Sequence, residues 1–320
     1  MLTLYPEIKP NAQHRIAVDP PHELYVEESG NPDGIPVLVV HGGPGGGCEE
    51  FHRRFFDAER FRIILMDQRG AGRSTPLAEL EGNSTDKLVE DMETVRSFFG
   101  VDQWLLFGGS WGSTLSLVYA QAYPERVLGL VLRGIFLCRP RDVQWFYQDG
   151  ASRVFPDYWR EFEEPIPEEE RADMVSAYYK RLTSSNELEQ IQAAKAWSVW
   201  EGRCATLHPN PRVVEHFGHP HVAIALARIE CHYFMNHAFL EPNQIVRDTH
   251  KLVDVPGIIV HGRYDMVCPL DNALALHEAW PTADLRIIRD AGHSASEPAI
   301  VDALIRGVEE VVAKSGKSAS

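Results

Sequence analysis

The sequence predicts an α/β protein, with a mostly parallel sheet covered by helices on both faces and a helical segment inserted into it. The first observation is a set of short, almost continuously apolar segments, the pattern of strands buried on both faces. The second is that helical patterns alternate with these segments, which indicates right-handed crossovers between parallel strands. The third is a long stretch, from about 139 to 244, without a convincing strand pattern.

Six segments carry the strand pattern, and several segments outside the middle stretch carry a helical one. In 85–99, for example, Leu88, Met92, Val95 and Phe98 recur every three or four residues before a glycine stop. The predicted strands are 36–40, 61–66, 104–107, 127–132, 256–260 and 285–288, and the predicted helices are 85–99, 271–280 and 299–312.

The middle stretch is rich in aromatic residues and helical patterns, for example over 167–182 and 187–200. Because it interrupts a strand–helix alternation that resumes after it, we interpret it as a cap inserted into a single α/β domain. The predicted organisation is a core domain of 1–138 and 245–320 with a helical cap domain of 139–244.

Composition excludes several classes of protein. With 46 acidic and 31 basic side chains the net charge is −15, which argues against a nucleic-acid partner because phosphates would be repelled. Five cysteines without a C-x-x-C pair argue against a disulfide framework and favour reduced thiols. The chain shows no leader pattern at its start and no apolar run of about 18 residues, so we expect a cytoplasmic protein without a membrane partner.

A nucleophile motif follows the third predicted strand. Segment 104–107 leads into Gly108-Gly109-Ser110-Trp111-Gly112 and then into a helical run from Ser113. The order strand, G-x-S-x-G, helix is that of a nucleophile elbow, in which a serine sits on a sharp turn with small residues on either side. The helix that follows directs its amides and its dipole at developing negative charge. Alone the motif is weak, since about 0.1 matches are expected by chance in this composition.

A glycine-rich loop follows the first predicted strand, with five glycines and one proline in 41–47. In a hydrolase with this elbow, that loop donates one oxyanion-hole N–H and the residue after the nucleophile donates the other. Our candidates are therefore Gly43 and Trp111. A phosphate-binding loop is the alternative, but the G-x-x-x-x-G-K-[ST] pattern is absent.

An acid and a base follow in the order that this fold requires, serine, acid, histidine. Asp265 comes just after one late strand, and His293 just after the next, so both project near the elbow. His293 would take the serine proton, and Asp265 would orient its ring. Asp290 and Asp271 remain alternatives for the acid.

Several sequence blocks together resemble the proline iminopeptidases of the α/β-hydrolase superfamily, and they cover most of the chain. HGGPG, DQRG and GGSWG in combination are far more specific than G-x-S-x-G. The blocks are 41–47 (HGGPGGG), 67–74 (DQRGAGRS), 108–113 (GGSWGS), 131–136 (VLRGIF), 196–201 (AWSVWE), 228–234 (RIECHYF), 261–269 (HGRYDMVCP) and 291–294 (AGHS).

The resemblance implies an exopeptidase that releases N-terminal proline from peptides through an acyl-enzyme, with a helical cap over the site and no metal or organic cofactor. It assigns Glu201 and Glu230 to the free amino group of the substrate, a role for which a carboxylate suits a cation. Two adjacent carboxylates repel and raise a pKa unless a cation is close, and Arg133 is our candidate for that cation.

The same resemblance implies an apolar slot for the proline ring. Phe136, Phe146, Phe234 and Cys268 occupy the matching positions, and Trp145 is a further candidate. The expected partners are short peptides with N-terminal proline. A carboxylesterase is the alternative function, because it shares fold and triad, and a catalytically idle receptor on the same scaffold is a second. His216, His219 and His221 are interpreted as a loop rather than a metal site.

Overall fold

The computed structural model describes residues 1–316, and the last four residues of the predicted core domain lie outside that part. Within it, eight strands form one sheet in the order β1-β2-β4-β3-β5-β6-β7-β8. Strands β3 to β8 are parallel, and β1 and β2 add an antiparallel edge. The strands are β1 Ala12–Ala17, β2 Glu23–Gly30, β3 Ile35–Val40, β4 Phe61–Met66, β5 Trp104–Gly109, β6 Val127–Arg133, β7 Gly257–Gly262 and β8 Asp284–Ile288.

All six predicted strands are present as β3 to β8, which confirms the predicted fold class. Sequence analysis missed β1 and β2. Alternate residues of β1 are exposed, and polar side chains are frequent in both strands, so neither has the continuous apolar pattern of the buried strands. A pair of strands at the edge of a sheet, with one face exposed to solvent, needs only a partial alternation of apolar and polar residues.

Helices flank the sheet and fill the segment between β6 and β7. They are α1 Thr85–Phe98, α2 Trp111–Ala122, α3 Pro140–Tyr147, α4 Ala151–Val154, α5 Pro156–Glu163, α6 Met174–Leu182, α7 Glu187–Cys204, α8 Pro211–Phe217, α9 Pro220–Met235, α10 Gln244–Arg247, α11 Leu270–Ala279 and α12 Pro298–Lys314. Short 3₁₀ helices cover Glu50–Phe55, Pro124–Arg126, Glu168–Glu170, His237–Phe239 and Asp248–Leu252. Among the helices of residues 1–316, none combines the length and apolar character needed to cross a bilayer.

The prediction of one helix over 167–182 was wrong in its first half. A 3₁₀ helix at Glu168–Glu170 is followed by a new helix, α6, that begins after Asp173. The Asp173 carboxylate accepts a hydrogen bond from the backbone N–H of Ser176 at 3.1 Å, which satisfies a donor at the new N-terminus. The capping residue therefore restarts the helix where periodicity alone suggested continuity.

Two apolar clusters lie on opposite faces of the sheet. One contains α12 and a face of β3 to β7. The other contains the opposite face and continues into the segment between β6 and β7 through buried aromatics such as Phe162, Tyr178 and Trp197. The helices of 140–247 thus pack over the carboxyl edge of the parallel strands, where ligands bind in open α/β sheets. We keep 139–244 as the proposed extent of the cap.

Candidate active site

Ser110 lies in the sharp turn between β5 and α2, with φ 57° and ψ −127°, a conformation that costs a non-glycine residue energy. Its N–H donates to the carbonyl of Arg133 at 2.9 Å, and its carbonyl accepts from Ser113 N–H at 2.8 Å. A Cβ at Gly112 would collide with the backbone of Val40 and His41. The glycine therefore permits the close approach of helix and strands that the turn requires.

Asp265 and His293 are joined by a hydrogen bond of 2.7 Å between Oδ2 and Nδ1, and both are buried. The other carboxylate oxygen, Oδ1, accepts from the N–H groups of Val267 (3.1 Å) and Cys268 (2.8 Å). Burial alone would raise the pKa of Asp265, but the adjacent imidazole of His293 and these hydrogen bonds hold it below its usual value. Asp265 is therefore ionised and fixes the ring orientation of His293.

The two alternative acids lie elsewhere. Asp271 is 55% exposed and pairs with Arg141 at 3.1 Å, and Asp290 is on the surface. Ser110 and His293 face one groove, although no hydrogen bond joins Ser110 Oγ to His293 among the described residues. In unliganded hydrolases such a contact is often loose and tightens when substrate binds.

Gln68 links the loop that carries Gly43 to Trp111, through contacts that sequence analysis did not predict. Its side-chain amide donates to the carbonyl of His41 at 2.9 Å, and its side-chain carbonyl accepts from the indole N–H of Trp111 at 2.9 Å. Its backbone N–H donates to Nε2 of His41 at 2.9 Å. Gly43, in the loop that His41 begins, has a φ of 110°. Gln68 therefore connects that loop to the first residue of α2, whose N-terminal amides are left without helical partners.

Glu201 on α7 and Glu230 on α9 are both buried, and their carboxyl groups lie close enough for each to shift the protonation of the other. Glu230 Oε2 accepts from the indole N–H of Trp197 at 2.5 Å and from the hydroxyl of Tyr147 at 3.3 Å. Glu201 Oε2 is buried and has no hydrogen-bond partner among the described residues. An oxygen in that state is a free acceptor for a ligand with N–H groups.

Burial raises the pKa of Glu201 to about 7, although its hydrogen bond to Glu230 and the charge of Arg133 act in the opposite direction. Burial and the charge of Glu201 raise the pKa of Glu230 well above its usual value. Two carboxylates this close cannot both ionise at little cost. At neutral pH the empty pair therefore holds at least one proton.

Arg133 contacts His293, the proposed catalytic base, rather than the carboxyl pair. Its Nη1 donates to the carbonyl of His293 at 2.7 Å, and no carboxylate oxygen lies within 4.0 Å of it among the described residues. Burial lowers the pKa of Arg133, while the charge of Asp265 acts to raise it. The predicted cation thus acts on Glu201 at longer range and holds the backbone of His293.

A small cavity joins these groups. It brings together Ser110, Gly43, both glutamates and all four side chains predicted for the proline slot. Its lining is Gly43, Ser110, Phe136, Asp142, Val143, Phe146, Tyr147, Glu201, Glu230, Phe234, Val267 and Cys268. Trp145, the further candidate, is not part of the lining, because its indole N–H turns away to the carbonyl of Met266 at 2.9 Å.

Sequence analysis missed the contribution of Tyr147 to the cavity. The ring of Tyr147 stacks on Trp197 with centroids 4.0 Å apart, and its hydroxyl reaches Glu230. Cys268 is 2% exposed, and burial raises the pKa of its thiol well above the usual value, so it stays neutral. A neutral, enclosed thiol contributes apolar surface and is a poor nucleophile.

The three histidines from 216 to 221 were interpreted as a loop. The structure divides them between the last turn of α8, the connection to α9, and the first turn of α9. His221 Nε2 contacts the carbonyl of Gly72 at 2.8 Å. Within residues 1–316, His, Cys, Asp and Glu side chains form no group of three or more that could hold a metal ion.

Comparisons with known proteins show the family to which the chain is similar. The model of the alpha/beta hydrolase fold family matches residues 35–299. The chain is 54% identical over 310 residues to a proline iminopeptidase of Xanthomonas citri, covering 97% of this chain and 99% of that one. It is 48% identical to a proline iminopeptidase of Arabidopsis thaliana, over 98% of this chain and 83% of the relative.

Solved structures show the same fold at low sequence identity. A bromoperoxidase from Bacillus anthracis superposes with a TM-score of 0.67 at 17% identity, covering 94% of this chain and 100% of that one. A proline iminopeptidase-related protein from Thermus thermophilus gives a TM-score of 0.60 at 20% identity, covering 96% and 98%. From the family model and the full-length relatives, the chain belongs to the alpha/beta hydrolase fold family and, within it, to the proline iminopeptidases.

Proposed function

We propose that this chain is a serine exopeptidase that releases N-terminal proline from short peptides through an acyl-enzyme intermediate. The observation that carries the proposal is the buried carboxyl pair, Glu201 and Glu230, in the same small cavity as Ser110. A buried acid pair has no use in a site for neutral esters, whereas it matches the charged imino group of an N-terminal proline. The names of the full-length relatives support the same activity.

The chemistry follows from the assigned roles. His293 removes the proton of Ser110 Oγ as the oxygen attacks the proline carbonyl, and Asp265 stabilises the imidazolium. The backbone N–H groups of Gly43 and Trp111 stabilise the oxyanion. His293 then protonates the leaving amine, the C–N bond breaks, and water hydrolyses the acyl-enzyme in a second round with His293 as base.

Recognition of the free imino group is coupled to the proton of the pair. The positive imino group donates N–H bonds to Glu201 and Glu230, and its charge lowers the pKa of both, so that binding favours loss of the shared proton. Phe136, Phe146 and Phe234 enclose the ring, and Cys268 completes the apolar wall. Acylation of the imino nitrogen removes both the charge and the donors, so a blocked proline should bind poorly.

We also propose a cytoplasmic location without nucleic-acid or membrane partners. The support is the net charge of −15 and five free cysteines, three of which, Cys204, Cys231 and Cys268, are buried.

The proposal is tested by kcat/KM for three substrates: a proline arylamide with a free imino group, its N-acetyl counterpart, and a short-chain p-nitrophenyl ester. The Ser110→Ala variant, which lacks the proposed nucleophile, is the negative control. We expect the free-imino arylamide to be preferred by about 100-fold or more over the acetylated one and Ser110→Ala to be inactive. Preference for the ester or the acetylated arylamide would favour a carboxylesterase. Full turnover by Ser110→Ala would refute the mechanism.

A further inference from the structure

A second cavity, which we call the leaving-group groove, meets the small cavity at Ser110. Gly43, Ser110 and Glu201 line both, and His293 lines only the groove. In the proposed function, on which this inference rests, the proline fills the small cavity and its carbonyl faces Ser110. The chain beyond the scissile bond then has to enter the groove, past the imidazole that protonates the leaving amine.

The walls of the groove are largely apolar. Phe51 contributes from the core, Val213 and Phe217 from α8, and Val222 and Leu226 from α9. Phe51, Val213, Phe217 and Val222 are half-buried, so each keeps part of its apolar surface open to the groove. A leucine or phenylalanine side chain placed there would remove apolar surface from water on both sides of the contact.

Besides His293, five ionisable side chains line the groove, namely Glu49, His52, Arg133, Glu201 and His216. Glu49 Oε1 and His216 Nε2 lie 3.7 Å apart, and the two side chains are 47% and 40% exposed. Burial lowers the pKa of His52 to about 3, so its ring is neutral. Arg133 also lines the groove, and it donates to the carbonyl of His293. A charged side chain packed against the apolar walls would lose hydration without gaining a partner from those walls.

We infer that the leaving-group groove binds the residue that follows the N-terminal proline and selects a large apolar side chain at that position. The selectivity comes from apolar contacts of that side chain with Phe51, Val213, Phe217, Val222 and Leu226. Small residues gain less from the same walls, and acidic residues lose hydration against them.

The test compares kcat/KM for Pro-Leu amide, Pro-Phe amide, Pro-Gly amide and Pro-Asp amide, with prolinamide as the substrate that lacks the second residue. Amides are used because a free carboxylate could contact Arg133. We expect the Leu and Phe substrates to exceed the Gly and Asp substrates by about tenfold or more. Val213→Asp should reduce the preference for Leu over Gly about tenfold.

Val214→Asp is the matched control, since Val214 is the next residue of α8, is also half-buried, and does not line the groove. It should retain the preference of the wild type. Equal rates for Leu and Gly substrates, with prolinamide still cleaved, would overturn the inference and leave the proposed function intact. Failure to cleave prolinamide and the free-imino arylamide would overturn the proposed function itself.

Discussion

The buried acid pair should reduce the stability of the folded chain at pH values above about 7. Glu201 has a pKa of about 7 in the folded protein against an ordinary value of 4.5. Between those two values the unfolded chain releases a proton that the folded chain retains, so the free energy of unfolding falls as pH rises. At about 1.36 kcal/mol for each pH unit, the full loss above pH 7 is about 3 kcal/mol.

The perturbation is Glu201→Gln, which keeps the shape of the side chain and removes its titration. Relative to wild type we expect a gain of about 3 kcal/mol at pH 8 and about 1 kcal/mol at pH 5, where only the unfolded wild type is ionised. For a chain of this size these gains correspond to about 4 to 5 °C and about 1 to 2 °C in Tm. Differential scanning calorimetry at the two pH values measures the difference.

Glu169→Gln is the control, because Glu169 is an exposed glutamate of the short 3₁₀ helix Glu168–Glu170, also between β6 and β7. Its Tm should differ from wild type by less than about 1 °C at either pH. A Glu201→Gln protein that is less stable than wild type at pH 8, or that gains equally at pH 5 and pH 8, would refute the claim that burial raises the pKa of this carboxyl.

Three further results are expected. Asp265→Asn should keep the fold and lower kcat about 10⁴-fold, because the ring of His293 loses the carboxylate that orients it; near-normal kcat would exclude Asp265 as the acid. Gln68→Ala should lower kcat about 10- to 100-fold with little change in KM, because the link between the loop of His41 and Trp111 is lost. The control is Gln103→Ala, at a half-buried glutamine, which should match wild type in both kcat and KM. An effect of Gln68→Ala on KM alone would exclude a positioning role. Cys268→Ala should retain kcat within about threefold and abolish inhibition by bulky thiol reagents, which should act slowly on the wild type because the thiol is buried and neutral; undiminished inhibition of the variant would place the reactive thiol elsewhere.

The parts of the fold that sequence analysis predicted are those with a local cause. Buried parallel strands need continuous apolar segments, and the elbow around Ser110 needs glycines at fixed spacing, so both can be recognised in a few residues. The acid and the base could also be predicted, because Asp265 and His293 each come directly after a strand of the same parallel sheet.

The parts that sequence analysis missed depend on the order of elements in space. Gln68 reaches His41 because β4 lies beside β3, and Trp111 because β5 lies on the other side of β3, an order that chain position does not reveal. Arg133 was expected beside the glutamates, but its strand ends where the nearest acceptor is the carbonyl of His293. Tyr147 reaches Glu230 only through the packing of α3 on α7 and α9.

The central claim is that the carboxyl pair selects a free imino group for the Ser110 nucleophile. The most direct measurement is the ratio of kcat/KM for the free-imino proline arylamide to that for its N-acetyl counterpart, in wild type, Glu201→Gln and Glu230→Gln. We predict a ratio of about 100 or more in the wild type and a fall of about tenfold or more in each variant, through loss of the free-imino activity. An unchanged ratio in both folded variants would contradict the account.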